Sequence, residues 1–313
     1  MSCFLVTGAA GFIGFHLARL LLGKGHAVIG IDSFTPYYDV ALKRRRAALL
    51  TELPNFRLHD FPLEDRAALE RTVSEAAPEI LIHLAAQAGV RYSLEHPQTY
   101  IDANLIGTFN VLDVARAHPP RHLMIASTSS VYGANHKLPF AEDDPTDHPL
   151  SLYAATKKSC EVMAHCYSHL WRIPTTLFRF FTVYGPWGRP DMALFIFTKR
   201  IIEGRPIDVY NHGHMERDFT YIDDLVAAIA ALADAIPGEP RDGAAPNLAS
   251  DVAPYRIVNI GRSAPVGLLD FIDAIEKCVG RPAIRNYLPL QPGEVERTHA
   301  STALLNRLIG EVP

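Results

Sequence analysis

The chain predicts an α/β fold: a doubly wound parallel sheet followed by a smaller C-terminal substrate-binding domain. Three observations carry this. Short apolar runs alternate with helical patterns through the first half, as in a parallel sheet covered on both faces. A glycine-rich turn links the first apolar run to the first helical pattern. Beyond residue 180 the alternation loosens, with proline and glycine clustered at 186–190 and 237–254.

Taken in order, residues 3–6 form the first strand and 12–22 the first helix. Between them lies Gly8-Ala9-Ala10-Gly11-Phe12-Ile13-Gly14. Glycines there permit a tight turn and let backbone approach a pyrophosphate, while the helix N-terminus supplies amide donors. The spacing is Gly-x-x-Gly-x-x-Gly, and its place between strand and helix makes the half Rossmann-like. Residues 27–31 form the second strand, and Asp32 ends it. An acid there can accept both hydroxyls of an adenosine ribose and would repel a 2′-phosphate, so NAD is favoured over NADP. A turn-forming aspartate is the plainer reading of Asp32. Lys43, in the basic run Lys43-Arg44-Arg45-Arg46, keeps NADP open; a solvated face of the helix at 42–50 explains that run.

The third strand is expected at 56–58, with Asp60 and Phe61 beyond it placed to flank an adenine. A helix follows at 66–76. The fourth strand, 80–84, runs into Leu84-Ala85-Ala86-Gln87, whose small residues suit a backbone lying beside a cofactor. A helix at 99–117 leads to a strand at 122–126 and the hydroxyl cluster Ser127-Thr128-Ser129-Ser130. A helix at 153–171 and a strand at 175–180 follow. Tyr153 and Lys157 stand four apart on that helix, hence on one face. An ammonium near a phenol lowers a pKa that starts near ~10, which makes tyrosine a usable base. The domains expected are 1–180 for NAD and 181–313 mainly for substrate, with segments near 218–235 and 256–262 returning to the core.

Composition bounds the rest. Hydrophobic residues make up 48% and charged residues 20%, as in a soluble globular protein. A net charge of −4 gives no electrostatic reason to expect nucleic acid. The four cysteines include no Cys-x-x-Cys pair, which suits a reducing, cytoplasmic setting. His165 and His169 have helical spacing but lack the glutamate of the zinc-protease motif, so no metal is expected. The apolar N-terminus lacks a basic leader and is broken by glycines, His16 and Arg19, so it reads as strand–turn–helix. No run reaches membrane-spanning length, and no membrane partner is expected.

Together these residues resemble the extended short-chain dehydrogenase/reductase family over nearly the whole chain. The stretches 83–93, 179–193 and 217–224 resemble its nucleotide-sugar 4-epimerase branch, in particular enzymes that act on UDP-glucuronate. The resemblance implies a tightly held NAD and a UDP-sugar substrate. Tyr153 would take the proton of the sugar 4-hydroxyl and also contact the NAD, and Lys157 would hold the nicotinamide ribose. Thr128 would hydrogen-bond the 4-oxygen, with Ser129 beside it. The net reaction is inversion at carbon 4 through a 4-keto intermediate, UDP-glucuronate to UDP-galacturonate. Arg217 matches an arginine that grips the diphosphate, and its fork suits that role. Arg189 is expected against the sugar, and Ala193 and Tyr210 at the uridine. Ser129, Ser130 and Thr182 are placed to meet the uronate carboxylate, although Ser129 and Ser130 also suit strand-end capping. Glu294, in Gln291-Pro-Gly-Glu294, stands where the family has aspartate. Glu216, before Arg217, is expected to loosen phosphate binding. The resemblance also implies a homodimer built on the helices at 99–117 and 153–171, and a terminal helix beyond Pro313.

A 4-keto uronate is a β-keto acid and readily loses carbon dioxide. Decarboxylases of this scaffold usually carry glutamate where this chain has Ser130, and dehydratases an acidic pair nearby. The missing acid favours epimerisation over both. The alternatives are a 4-epimerase of another UDP-sugar, a UDP-glucuronate decarboxylase and, least favoured, a non-catalytic NAD-binding protein.

Overall fold

Residues 1–238 and 250–310 are described by a computed structural model of the chain. In chain order the first elements are β1 (Cys3–Thr7), α1 (Phe12–Gly23), β2 (Ala27–Asp32), α2 (Val40–Thr51), β3 (Phe56–Asp60), α3 (Arg66–Ala76) and β4 (Ile80–His83). Next come α4 (Tyr92–Glu95), α5 (Pro97–Tyr100), α6 (Gly107–Ala117), β5 (His122–Thr128), α7 (Leu152–Trp171), β6 (Thr175–Phe180) and β7 (Thr182–Tyr184). The remainder is α8 (Ala193–Ile202), β8 (Ile207–Val209), β9 (Glu216–Tyr221), α9 (Ile222–Ala233), β10 (Tyr255–Ile260), β11 (Pro265–Gly267), α10 (Leu268–Val279), β12 (Arg285–Tyr287) and α11 (Ala303–Ile309). Most of the 237–254 cluster lies outside the described residues.

The main sheet has seven strands in the order β10-β6-β5-β4-β1-β2-β3, and every pairing in it is parallel. This is the expected Rossmann-like sheet. Its central strands are apolar on both faces because helices cover both; all four residues of β4 and all seven of β5 are buried. One face packs against α1, α9 and α11 through residues such as Phe15, Leu17, Ile229 and Leu305. The other packs against α3, α6 and α7 through Leu69, Val111 and Ala164. A separate cluster, including Phe197, Ile207 and Ile272, holds α8, β8 and α10 together. β9 pairs with β7 and β11 in a small sheet, while β10 returns to the edge of the main one.

The strand order places the site. The chain runs outward from β1 to β2 and β3, then crosses to β4 on the opposite side of β1. The connections leaving β1 and β4 therefore diverge, and a crevice opens at their carboxyl ends, where open α/β sheets bind ligands.

The helix expected over 99–117 is interrupted. Residues Ile101–Ile106 form a π-helical turn between α5 and α6. Asn104 inside it is buried and exchanges hydrogen bonds with the backbone of Gln87, at 2.8 and 3.1 Å. Its carbonyl also accepts from the Cys160 thiol on α7. Such turns concentrate beside functional sites, and this one fastens the loop after β4 to the helix carrying Tyr153.

Candidate active site

A pocket of about 1070 Å³ opens at this crevice and extends toward α8 and β9. It is at the upper end for a single small ligand and has room for two ligands end to end. Its floor is the turn between β1 and α1. Gly8 has φ +71°, and a Cβ on Gly14 would fall 2.1 Å from the Gly8 carbonyl oxygen. No side chain could replace that glycine without opening the turn. Gly11 is the N-cap of α1 and offers no capping side chain, so first-turn amides are available to a ligand.

Buried hydrogen bonds hold the neighbouring strand ends in place. The Thr7 hydroxyl accepts from Leu84 N and Ala85 N at 3.2 and 3.1 Å. The His83 ring bridges Thr7 and Thr108, at 2.8 and 3.0 Å. Leu84, Ala85, Ala86 and Gln87 thereby line the wall opposite Gly8. Asp32 ends β2 and accepts from Ala10 N at 3.0 Å and Phe34 N at 2.9 Å. It shapes the turn, and a carboxylate's remaining lone pairs still suit ribose hydroxyls. Burial raises its pKa; the Phe34 amide and the Lys43 charge act against that.

Two expectations on this side need correction. The basic run is not a solvated face: Lys43 and Arg46 point inward, one helical turn apart, and only Arg44 and Arg45 are exposed. Lys43 Nζ donates to the Thr35 carbonyl and hydroxyl at 2.8 and 2.9 Å. Asp60 is exposed at the end of the sheet's edge strand and does not line the pocket; Phe61, the next residue, does.

The hydroxyl cluster sits at the carboxyl end of β5. Thr128 Oγ1 accepts from Ser130 N at 3.2 Å, so this residue caps the short helical turn Ser129–Tyr132. Thr128, Ser129, Ser130, Tyr153 and Lys157 all line the pocket. Tyr153 lies one turn before Lys157 on α7, a helix capped by the Ser151 hydroxyl. Burial raises the Tyr153 pKa, while hydrogen bonding with Thr128 and the charge of Arg189 lower it. Arg189 is therefore one cation that acts on the phenol. Burial lowers the Lys157 pKa, and the charge of Glu161 acts against that. Its side chain is 2% exposed, and among the described residues its ammonium has no hydrogen-bond or ion-pair partner. A buried ammonium without a partner is costly unless a ligand supplies acceptors. With the glycine turn and Asp32, it fits a dinucleotide.

Thr182, Arg189, Ala193, Tyr210, Arg217 and Glu294 line the other end of the pocket. Arg189 is held in a fork by Asp191, with contacts of 3.0 and 2.5 Å. Asp191 also accepts from the Tyr37 hydroxyl at 2.9 Å. Arg217 donates to the carbonyls of Glu216 and Glu296, at 2.9 and 3.0 Å. Burial lowers its pKa, and the Glu294 charge raises it. Glu216 pairs with Arg297 at 2.8 Å, so its charge is already balanced and need not weaken a phosphate site. Arg91 donates twice to Glu294 Oε1, at 2.9 and 2.6 Å, and stacks 4.3 Å above the Tyr210 ring. The sequence reading assigned no role to Tyr37, Arg91 or Asp191. The tyrosine pair following Asp32 was the available signal for the first.

Behind the hydroxyl cluster lies an ion pair with both members 2% exposed. Arg179 on β6 meets Glu161 on α7 in a fork of two 2.9 Å contacts. Ser127 donates to the same carboxylate at 2.7 Å. Glu161 is one turn beyond Lys157, so the pair fastens the Tyr153 helix to the strand ends bearing Thr128. His165 and His169 bond to Ser250 and the Val252 carbonyl, and no metal-holding group occurs among the described residues.

A family model for the NAD dependent epimerase/dehydratase family matches residues 4–260. A probable UDP-glucuronate 4-epimerase of Rhizobium meliloti (strain 1021) is 59% identical over 99% of this chain and 92% of its own length. UDP-glucuronate 4-epimerase 1 of Arabidopsis thaliana is 44% identical over 99% of this chain and 72% of its own. The crystal structure of UDP-glucuronic acid 4-epimerase from Bacillus cereus, in complex with UDP-glucuronic acid and NAD, superposes with a TM-score of 0.87. It is 33% identical, covering 98% of this chain and 92% of that one.

Proposed function

The chain belongs to the NAD dependent epimerase/dehydratase family, and from that premise we propose that it is an NAD-dependent isomerase inverting carbon 4 of UDP-glucuronate. The single observation that carries this reading is the convergence of Tyr153, Thr128, Ser129 and Ser130 on one pocket wall with no carboxylate among them. Tyr153, as phenolate, accepts the proton of the sugar 4-hydroxyl, and Thr128 steadies the same oxygen. Lys157, the Gly8–Gly14 turn and Asp32 hold the dinucleotide, with Leu84, Ala85, Ala86, Gln87 and Phe61 against it. NAD supplies a reversible hydride acceptor at carbon 4. With NAD bound, hydride returned to the opposite face of carbon 4 would complete the inversion, and Tyr153 would give the proton back to the 4-oxygen.

Arg217 is assigned to the diphosphate, and Ala193, Tyr210 and Glu294 to the uridine. Ser129, Ser130, Thr182 and Arg189 are assigned to the uronate carboxylate. Held by those donors and without an acid at position 130, the β-keto acid keeps its carboxylate. We also assign a homodimer. Ile106, Phe109, Val162, Leu170 and Trp171 are exposed apolar residues on the α6 and α7 side, the face that a helical dimer would cover. Four free cysteines suit the reducing cytoplasm, where we place it.

The test incubates purified protein with UDP-glucuronate, without added NAD, and follows the sugar nucleotides by NMR. UDP-galacturonate is the expected product. A UDP-pentose with carbon dioxide would show that Ser130 does not exclude decarboxylation. Turnover of a neutral UDP-hexose but not the uronate would reassign the substrate.

A further inference from the structure

Residues 186–191 reach the pocket at Arg189 and Asp191, which line it, and they are bolted at several points to the segments assigned to the dinucleotide. His16 on α1 bonds the Pro186 carbonyl at 2.9 Å. Trp187 packs on Phe15, with ring centroids 5.7 Å apart. Gly188 sits against the start of α1: a Cβ there would be 3.9 Å from the Phe12 ring and 3.0 Å from the Gly185 carbonyl. Tyr37, in the loop after Asp32, donates to Asp191.

The central bolt is Arg46, with 0% exposure. One terminal nitrogen donates to the Ala10 carbonyl of the glycine turn at 3.2 Å and to the Tyr38 hydroxyl at 2.7 Å. The other donates to the carbonyls of Trp187 at 2.5 Å and Gly188 at 3.2 Å. One guanidinium thus ties the glycine turn, from behind the pocket, to residues 187 and 188, a task suited to a planar fork of donors. Trp187 has φ +58°, a left-handed conformation that a bulky residue adopts only where its surroundings impose it.

We infer that residues 186–191 are a strap that retains the dinucleotide through successive turnovers, and that Arg46 is the positioning residue that keeps it shut. This rests on the NAD-binding reading above. The dinucleotide leaves only when the strap lifts, and lifting it breaks the Arg46, His16 and Tyr37 bonds together. An epimerase returns its hydride each cycle and has no need to exchange the cofactor.

The test measures cofactor, not turnover. NAD is quantified in acid extracts of the purified protein, and its release is timed after dilution into NAD-free buffer. Wild type is expected to carry NAD through purification. Arg46→Met should lose most of it on dialysis and regain it from excess NAD. Tyr37→Phe keeps the ring and removes one bond to a carboxylate; about tenfold faster release is expected. It carries the test alone if Arg46→Met fails to fold. Release at the wild-type rate from Tyr37→Phe and from folded Arg46→Met, even with a lowered melting temperature, would make Arg46 purely structural and overturn the strap. A wild-type protein that neither holds nor takes up NAD would overturn both the strap and the cofactor reading. If wild type retains NAD yet leaves UDP-glucuronate unchanged, only the substrate reading falls, and the release rates still decide the strap.

Discussion

Tyr153 stands in a conflict of fields. Burial favours its neutral phenol, whereas Thr128 and the Arg189 charge favour the phenolate. The base form therefore populates as pH rises, and the rate should climb with pH through the Tyr153 pKa. The Arg189 charge holds that pKa down, and removing it should let the pKa rise. In Arg189→Met the rising limb of the kcat profile should move to higher pH; an unmoved limb would mean that another group is the base. Tyr153→Phe removes the proposed proton acceptor and keeps the ring, so kcat should fall by about 10²–10⁴. NAD content measured alongside should stay near the wild-type level, because Lys157, the glycine turn and Asp32 still hold the cofactor.

At the level of elements, two buried histidines tie the sheet together. His83 ends β4 and His122 begins β5; the latter bonds the Ala233 carbonyl and the Thr176 hydroxyl at 3.1 and 2.8 Å. Burial lowers the pKa of each to about 3, so both are neutral in the folded protein near neutral pH. Unfolded, each takes up a proton below about 6.5. Their contribution to stability is complete above that value and is lost as pH falls from about 6.5 toward 3. The loss approaches about 1.4 kcal/mol per pH unit for each histidine. Urea unfolding midpoints at pH 7.5, 6.0 and 5.0 check this; a flat series would contradict it. Elements were also where the sequence reading lost resolution. The π turn at Ile101–Ile106 arises from Asn104 bonding to Gln87, 17 residues earlier. Helical periodicity is blind to such a partner. The positions of α1, α3 and β6 were legible because their apolar spacing repeats along the element itself.

For the whole molecule, the decisive surface is the apolar face on α6 and α7. Val162 is 59% exposed and Phe109 44%, next to the Tyr153 helix. Phe109→Asp combined with Val162→Asp should convert a dimer into a monomer in size-exclusion chromatography with light scattering. A wild-type protein that is monomeric at micromolar concentration would refute the dimer outright. Because α7 carries Tyr153 and Lys157, the monomeric variant is also expected to lose thermal stability.

The glycine turn, the alternation of strand and helix, the Tyr153–Lys157 spacing and the hydroxyl run were determined by the sequence alone. Each is a local pattern, in which residues a few positions apart impose a turn, a face or a strand end. What covers those faces was decided only by the tertiary structure. Arg46 looked like part of a solvated stripe, yet its acceptors Trp187 and Gly188 lie 141 and 142 residues away. Tyr37 finds Asp191 across 154 residues, and Arg91 finds Glu294 across 203. A charge run states that a helix carries cations, not whether another segment will fold over them. Burial then selects the cations that become part of the site, because only carbonyls and carboxylates brought from elsewhere in the chain can replace the water those cations lose.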